Sequence, residues 1–172
     1  YNDAPSGIYS SQVIDVVKFL NTELNARVKL VALISLRNFL KNRKKIKNEL
    51  SDALVLPMFP GIKRWKSNIM LLYLISYVFK PKAVIGRSVL ATQLALTLKK
   101  LNRTQKVIYD GRGAISAEWH EYQVINNQKL LNSIFELEKD TVLHSDYRIA
   151  VSRQLILYWK NEFKYNSLNH VV

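Results

Sequence analysis

Val107-Ile108-Tyr109-Asp110-Gly111-Arg112-Gly113-Ala114-Ile115-Ser116-Ala117-Glu118 decides how this chain is read. A β-branched and aromatic run, a polar turn with two glycines and a helix-forming segment predict a strand, a tight loop and a helix N-terminus in that order. At the carboxyl end of a parallel strand such a loop meets ligands. Glycine lets the backbone approach closely, and the first N–H groups of the helix point at anything anionic. Asp110 then offers acceptors and Arg112 a fork of donors at the rim of a crevice. An ordinary βα connection, with Asp110 capping the loop and Arg112 solvated, is the alternative that this stretch leaves open.

The same pattern recurs on either side. Ala83-Val84-Ile85-Gly86-Arg87 reads as a short buried strand ending in a glycine and an arginine. Ser88 follows as a helix N-cap candidate, and Leu90, Leu94, Leu98 and Leu101 repeat at helical spacing. Tyr147-Arg148-Ile149-Ala150-Val151 is the last clear strand, and Ser152 caps a helix with Leu155, Ile156, Trp159 and Phe163 on one side. Residues 129–144 form an amphipathic helix through Leu130, Leu131, Ile134, Leu137 and Val142. Upstream, residues 28–36 are almost unbroken in apolar character, as suits a strand covered on both faces, and residues 53–57 form a strand shut off by Pro57 and Pro60. Before them, turn residues through Pro5, Ser6 and Gly7 lead to a helix capped by Ser10 or Ser11, with Val13, Ile14, Val16, Val17, Leu20 and Leu24 on one face. Strands alternating with helices, with no hairpin dipeptides between strands, predict an α/β fold. It is a Rossmann-like, doubly wound parallel sheet with helices on both faces, formed as one domain over residues 1–172.

Composition sets the chemical frame. At 172 residues and 48% hydrophobic content the chain can bury one sizeable core. It has no cysteine, which excludes disulfides and thiolate metal sites, and His120, His144 and His170 show no ligand spacing. Neither a metal nor a bound cofactor is expected. The longest apolar run, residues 69–79, is too short to span a bilayer. Twenty-six Lys and Arg against thirteen Asp and Glu give a net charge of +13, a field that attracts nucleic acid, anionic lipid or phosphorylated substrates. Lys41, Arg43, Lys44, Lys45 and Lys47 concentrate it on a helix over residues 38–50. Lys63-Arg64-Trp65-Lys66 places cations and an indole beside the apolar helix 69–79, a grouping that can rest on an anionic membrane surface. A solvated helix face and a core helix with a basic first turn are the plainer readings of these two stretches.

Known fingerprints exclude several chemistries. Gly111-Arg112-Gly113 begins a dinucleotide motif, but Ser116 stands at the third glycine position and no acidic residue ends a strand about twenty positions on. A redox domain is therefore disfavoured. No phosphate-binding Gly-Lys-Ser/Thr loop and no strand-embedded nucleophile elbow is present, and no nucleic-acid-reading module appears, which makes nucleic acid a disfavoured partner.

Pro5-Ser6-Gly7 before a helix, Val84-Ile85-Gly86-Arg87-Ser88, Tyr109-Asp110-Gly111-Arg112-Gly113 with Glu118, and Val151-Ser152-Arg153-Gln154-Leu155 with Tyr158-Trp159 follow one another in an informative order. Together they resemble the amino-terminal domain of bacterial group 1 (family 4) glycosyltransferases, over nearly the whole chain. The resemblance implies one half of a GT-B fold, the acceptor-side Rossmann-like domain, paired with a carboxyl-terminal domain that binds the nucleotide-sugar. It implies transfer, with retention, of a sugar from a nucleotide-sugar to a saccharide or lipid-linked acceptor in surface polysaccharide synthesis. The nucleotide-sugar is then a co-substrate and no cofactor is needed.

By the same resemblance Asp110 and Arg112 are catalytic, Asp110 orienting hydroxyls, while Arg87 and Arg112 hold acceptor or diphosphate oxygens. Gly7, Gly111, Gly113, Glu118 and Arg153 are binding positions, Glu118 having an equal role as a first-turn helix carboxylate. The enzyme is then cytoplasmic and peripheral at the inner membrane, docking by its basic residues. Three departures from the family pattern stand out. The chain starts just after the family's first central strand, and it stops near the crossing to the second domain, so alone it is expected to be inactive. Asp110 and Arg112 also occupy the neighbourhood where many relatives carry a histidine. The competing reading is a non-catalytic basic α/β module that binds a polyanion, nucleic acid or anionic membrane, through its basic face.

Overall fold

The computed structural model describes residues 7–59, 62–124 and 126–172, so the expectations placed on Pro5, Ser6, Pro60 and Gly61 lie outside the described residues. The class is the expected α/β, with parallel strands and helices around them, arranged as two compact units, Tyr1–Ser67 and Asn68–Val172.

In the first unit the chain is helical from Gly7 onward, as α1 (Gly7–Tyr9), a π-helical stretch (Ser10–Ile14) and α2 (Asp15–Thr22). Ser10 and Ser11 therefore lie inside the helical run and do not cap it. Of the expected apolar face, Ile14 and Val17 are buried while Val16 and Leu24 stay exposed. The π turn explains part of this, because its extra residue per turn rotates the apolar stripe. β1 (Val31–Ile34) pairs in parallel with β2 (Leu54–Pro57), Val31 opposite Leu54 and Ile34 opposite Pro57. Between them runs α3 (Phe39–Glu49), entered through Asn38 at φ 57°. Ala32, Leu33 and Ile34 are all buried, as their unbroken apolar run requires of a strand packed on both sides. The small core joins Tyr9, Ile14, Ala32, Ile34, Ile46, Ala53 and Val55.

A 3-10 turn, Ile62–Asn68, leads to the second unit and to α4 (Ile69–Phe79). There β3 (Ala83–Arg87), α5 (Val89–Lys100), β4 (Lys106–Gly111), α6 (Ile115–Glu121), α7 (Gln128–His144), β5 (Tyr147–Ala150), α8 (Arg153–Phe163) and β6 (His170–Val171) form a four-stranded parallel sheet in the order β3-β4-β5-β6. Strands laid down in sequence through right-handed crossovers send their helices to the same side. Burial follows that rule: Val107, Tyr109, Gly111, Arg148 and Ala150 are buried, while Ile85, Tyr147 and Val171 on the opposite face are exposed. The core on the covered side gathers Val89, Tyr109, Val142, Ala150, Leu155, Ile156, Trp159 and Phe163.

Two caps work as their residue types dictate. The Asn127 side chain accepts the Leu130 N–H and Ser152 Oγ accepts the Leu155 N–H, each supplying a partner for an orphan donor of the first helical turn. Arg148, buried in β5, donates from Nε to the Val142 carbonyl at 2.6 Å and from Nη2 to that of Leu143 at 3.0 Å, which satisfies the end of α7. β6 has only two residues, too few for a period of two to announce a strand, and its pairing with β5 is visible only in the fold.

Candidate functional site

β4 runs two residues further than its apolar segment suggests, through Asp110 and Gly111, and this builds the site. Parallel pairing sets Arg87 directly opposite Asp110 and Gly86 opposite Tyr109. Alternation then sends Arg87 and Asp110 to one face of the sheet and Tyr109 and Gly111 to the other. Arg87 Nη1 lies 3.3 Å from Asp110 Oδ2, and Arg112 Nη1 lies 3.4 Å from Asp110 Oδ1. One carboxylate is thus held between two guanidinium groups. The Asp110 and Arg87 side chains are only 14% and 19% exposed, so this pair is packed into the sheet end, while Arg112 at 32% stays open to solvent.

The backbone beneath the trio is tightly specified. A Cβ at Gly86 would lie 2.5 Å from the Thr92 Cα, because α5 crosses β3 at that point. The Thr92 hydroxyl has the Gly86 and Ser88 carbonyls in reach at 2.7 and 2.8 Å. Ser88 holds the N-cap position of α5 but makes no capping bond. Its φ of 77° and ψ of 165° are a conformation nearly restricted to glycine, whereas capping needs the extended geometry of a negative φ. The Ser88 N–H donates instead to the Asp110 carbonyl at 3.2 Å, tying the ends of β3 and β4 together. A strained residue between Arg87 and a helix start is the kind of feature that functional sites retain.

On the covered face, Gly111 leaves room for the Trp159 indole, which an added Cβ would approach to 2.7 Å, and Tyr109 packs on the same ring at a 5.5 Å centroid distance. Gly113 lies against the carboxylate of Glu118. Below α6 is a group that sequence reasoning did not select. Glu138 of α7 is fully buried, and its Oε2 accepts the Ser116 N–H at 2.9 Å and the Ser116 hydroxyl at 2.6 Å. Tyr158 Oη lies 3.0 Å from Ser116 Oγ, and Glu138 Oε1 is buried with no partner. Burial pushes the Glu138 carboxyl above its ordinary range, opposed by the hydrogen bonds from Ser116 and the Ile115 amide. Burial, then the nearby Glu138, Asp110 and Glu118 carboxylates, hold the Tyr109 phenol well above its usual value. The signal for Glu138 was its position four residues after Ile134 on the inward stripe of α7, where a carboxylate must find donors.

Of the expected site residues, the fold brings together Arg87, Asp110 and Arg112, with Gly111, Gly113 and Glu118 on the adjoining loop and helix. Arg153 opens α8 as an exposed residue, outside the hydrogen-bonded trio. Gly7 belongs to the first unit and is exposed, and an added Cβ there would meet nothing within 4 Å, so local packing does not demand a glycine. On α3, Lys41, Arg43, Lys44 and Lys45 are exposed, and Lys47 is half-buried with its Nζ donating to the Ser51 carbonyl. Arg64 and Lys66 are exposed, whereas Trp65 is only 7% exposed, its indole packed against the protein. The Lys63 side chain lies outside the described residues. α4 does present an apolar face to solvent, with Met70, Leu74, Tyr77 and Val78 all more than 60% exposed. No helix among the described residues is long and apolar enough to cross a membrane.

No protein-family model, curated protein or solved structure matches this chain. Its functional reading rests on geometry and residue chemistry.

Proposed function

We propose that the chain is the acceptor-side domain of a retaining GT-B glycosyltransferase, and that it holds an anionic, hydroxyl-rich ligand at the carboxyl ends of β3 and β4. The observation that carries the reading is the trio Arg87–Asp110–Arg112, assembled by strand register at the edge where parallel sheets bind ligands. Guanidinium forks recognise phosphate oxygens, and a carboxylate already held by two of them is a fixed acceptor for sugar hydroxyls. In this scheme Arg112, more exposed than its two neighbours, engages the ligand oxygens, Asp110 orients an acceptor hydroxyl, and Gly113 lets the backbone come close. Retaining front-face transfer needs no pair of protein carboxylates, in contrast to glycoside hydrolysis. The exposed cations of α3 favour attraction to an anionic lipid surface, where a lipid-linked acceptor is presented.

The test is turnover of a panel of nucleotide-sugars by the full-length protein, followed by mass spectrometry, with Asp110→Ala and Arg112→Ala beside the unchanged protein. One donor should be consumed, and each variant should lower that rate about tenfold or more. Absence of turnover with every donor, together with salt-sensitive binding of anionic vesicles or nucleic acid by the folded protein, would replace this reading by the basic binding module.

A further inference from the structure

A second cationic feature lies at the other end of the same sheet. Where β3 and β4 begin, Lys80, Lys82, Lys99 and Arg103, with Asn102 and Gln105, line an open hollow of about 520 Å³ that contains no carboxylate. This is within the roughly 300–1,000 Å³ range of small-ligand sites. Lys82 and Arg87 bracket β3, about 16 Å apart at strand rise, so the hollow is separate from the Arg87–Asp110–Arg112 trio.

The charge here exceeds what the fold needs. α4 and α5 both end at the hollow, and two helix C-termini present together about one negative charge. Asp146, the nearest acid by bonding, is held by Lys99 through both oxygens at 2.8 and 2.7 Å, with Lys106 further off at 3.4 Å, so Lys99 is balanced. Lys80, Lys82 and Arg103 then leave roughly two positive charges without a counterpart. Lys80 and Lys82 are exposed and have no acidic partner among the described residues. Lys80 also takes a left-handed conformation, φ 46°, at a helix end where glycine is the favoured residue. Arg103 is held in place by stacking, its guanidinium 4.6 Å from the Tyr73 ring and 5.3 Å from that of Tyr77, with Nη2 donating to the Tyr73 hydroxyl at 2.8 Å. Its Nε–H is buried without an acceptor.

We propose that this hollow is a binding site for a small ligand carrying consecutive phosphates. Lys80 and Lys82 supply exposed point charges, and Arg103 supplies a guanidinium held in a fixed orientation. The site stands independently of the transferase reading, since none of its residues belongs to the trio.

The experiment titrates the full chain with sodium tripolyphosphate, followed by calorimetry and amide NMR. Lys80→Glu/Lys82→Glu is the variant, and Arg112→Ala reports on the other end of the sheet. Both lysines are exposed, so the double variant should keep its circular dichroism and melting temperature. Binding is expected to shift the amides of Lys80, Lys82 and residues 102–105, and the affinity read from those amides should weaken about tenfold or more in the double variant and change less than about twofold in Arg112→Ala, whatever that variant does to shifts at the trio. Adenosine triphosphate as a second probe distinguishes the source of the phosphates. Equal affinity identifies the phosphate chain alone as the recognised group, and tighter binding identifies a nucleotide. Absence of binding at millimolar tripolyphosphate, shifts confined to α3 or to the trio, affinity that survives the double charge reversal, or binding of a single-stranded oligonucleotide without binding of tripolyphosphate would each overturn the proposal.

Discussion

The sheet of the first unit and the sheet of the second are built from the same apolar strand chemistry, yet their helices use that chemistry differently. α5 buries seven of its twelve residues, whereas α3 buries Ile46 alone among eleven. The second sheet therefore carries a thick core on one face, with Trp159, Tyr109 and Phe163 fully enclosed, and the first is closed by Tyr9 and a few aliphatic side chains. The charges differ in the same sense. In the second unit Arg87 and Arg112 converge on Asp110, and Lys99 and Lys106 on Asp146, while Lys41, Arg43, Lys44 and Lys45 of α3 face water without an acidic partner among the described residues. A helix that contributes little to a core is free to carry charge. A helix that must cover a sheet is not.

The largest effect should come from the second core. Trp159→Ala removes a ring that packs on Tyr109, Gly111 and Tyr165, and should lower stability by about 3–5 kcal/mol in urea unfolding. Native-state hydrogen exchange should in parallel show Val107 and Tyr109 better protected than Ala32 and Leu33. Equal protection in the two sheets would break the contrast.

Glycines sharpen it next. Gly86→Ala forces a Cβ against the backbone of Thr92 and should cost about 1–3 kcal/mol in the same assay. Gly7→Ala meets open space and should be neutral or stabilising by up to about 1 kcal/mol. A cost at Gly7 like that at Gly86 would mean that the first unit is packed more tightly than its short core suggests.

Glu138 gives the comparison a pH dependence. Its folded-state pKa lies above that of the unfolded chain, so the stability it contributes is fully present below about 4.5, the ordinary glutamate range, and is lost as pH rises through the folded value. Glu138→Gln should abolish that decline and be at least as stable as the unchanged protein at neutral pH. Glu138→Ala strands the Ser116 N–H and hydroxyl and should cost about 1–3 kcal/mol. Melting temperatures measured from pH 4 to 8 would read both, and a stability that climbs with pH across this window, equally in Glu138→Gln, would remove Glu138 from the argument.

The smallest effect belongs to α3. Lys44→Ala should change stability by less than about 0.5 kcal/mol, since its side chain touches no core. A larger loss would assign α3 a packing role that its burial does not reveal.

Much of the fold was legible because strand and helix periods are local. β3 occupies the five residues read as a strand, α4 and α7 match their apolar patterns to within a residue, and the Ser152 cap forms as its residue type implies. The position of the candidate site was legible for the same reason, since a glycine-bearing turn after a β-branched run can be recognised from a dozen residues. What only the tertiary structure decided joins residues far apart in the chain. Register across 23 residues sets Arg87 against Asp110, packing of α7 under α6 turns Glu138 into a buried cap for Ser116, and packing buries the Trp65 indole between two exposed cations. Local sterics and hydrogen bonding specify which segments become strands and helices. Which side chains then share a dielectric and a partner depends on how those segments pair and pack, and no short stretch of sequence carries that information.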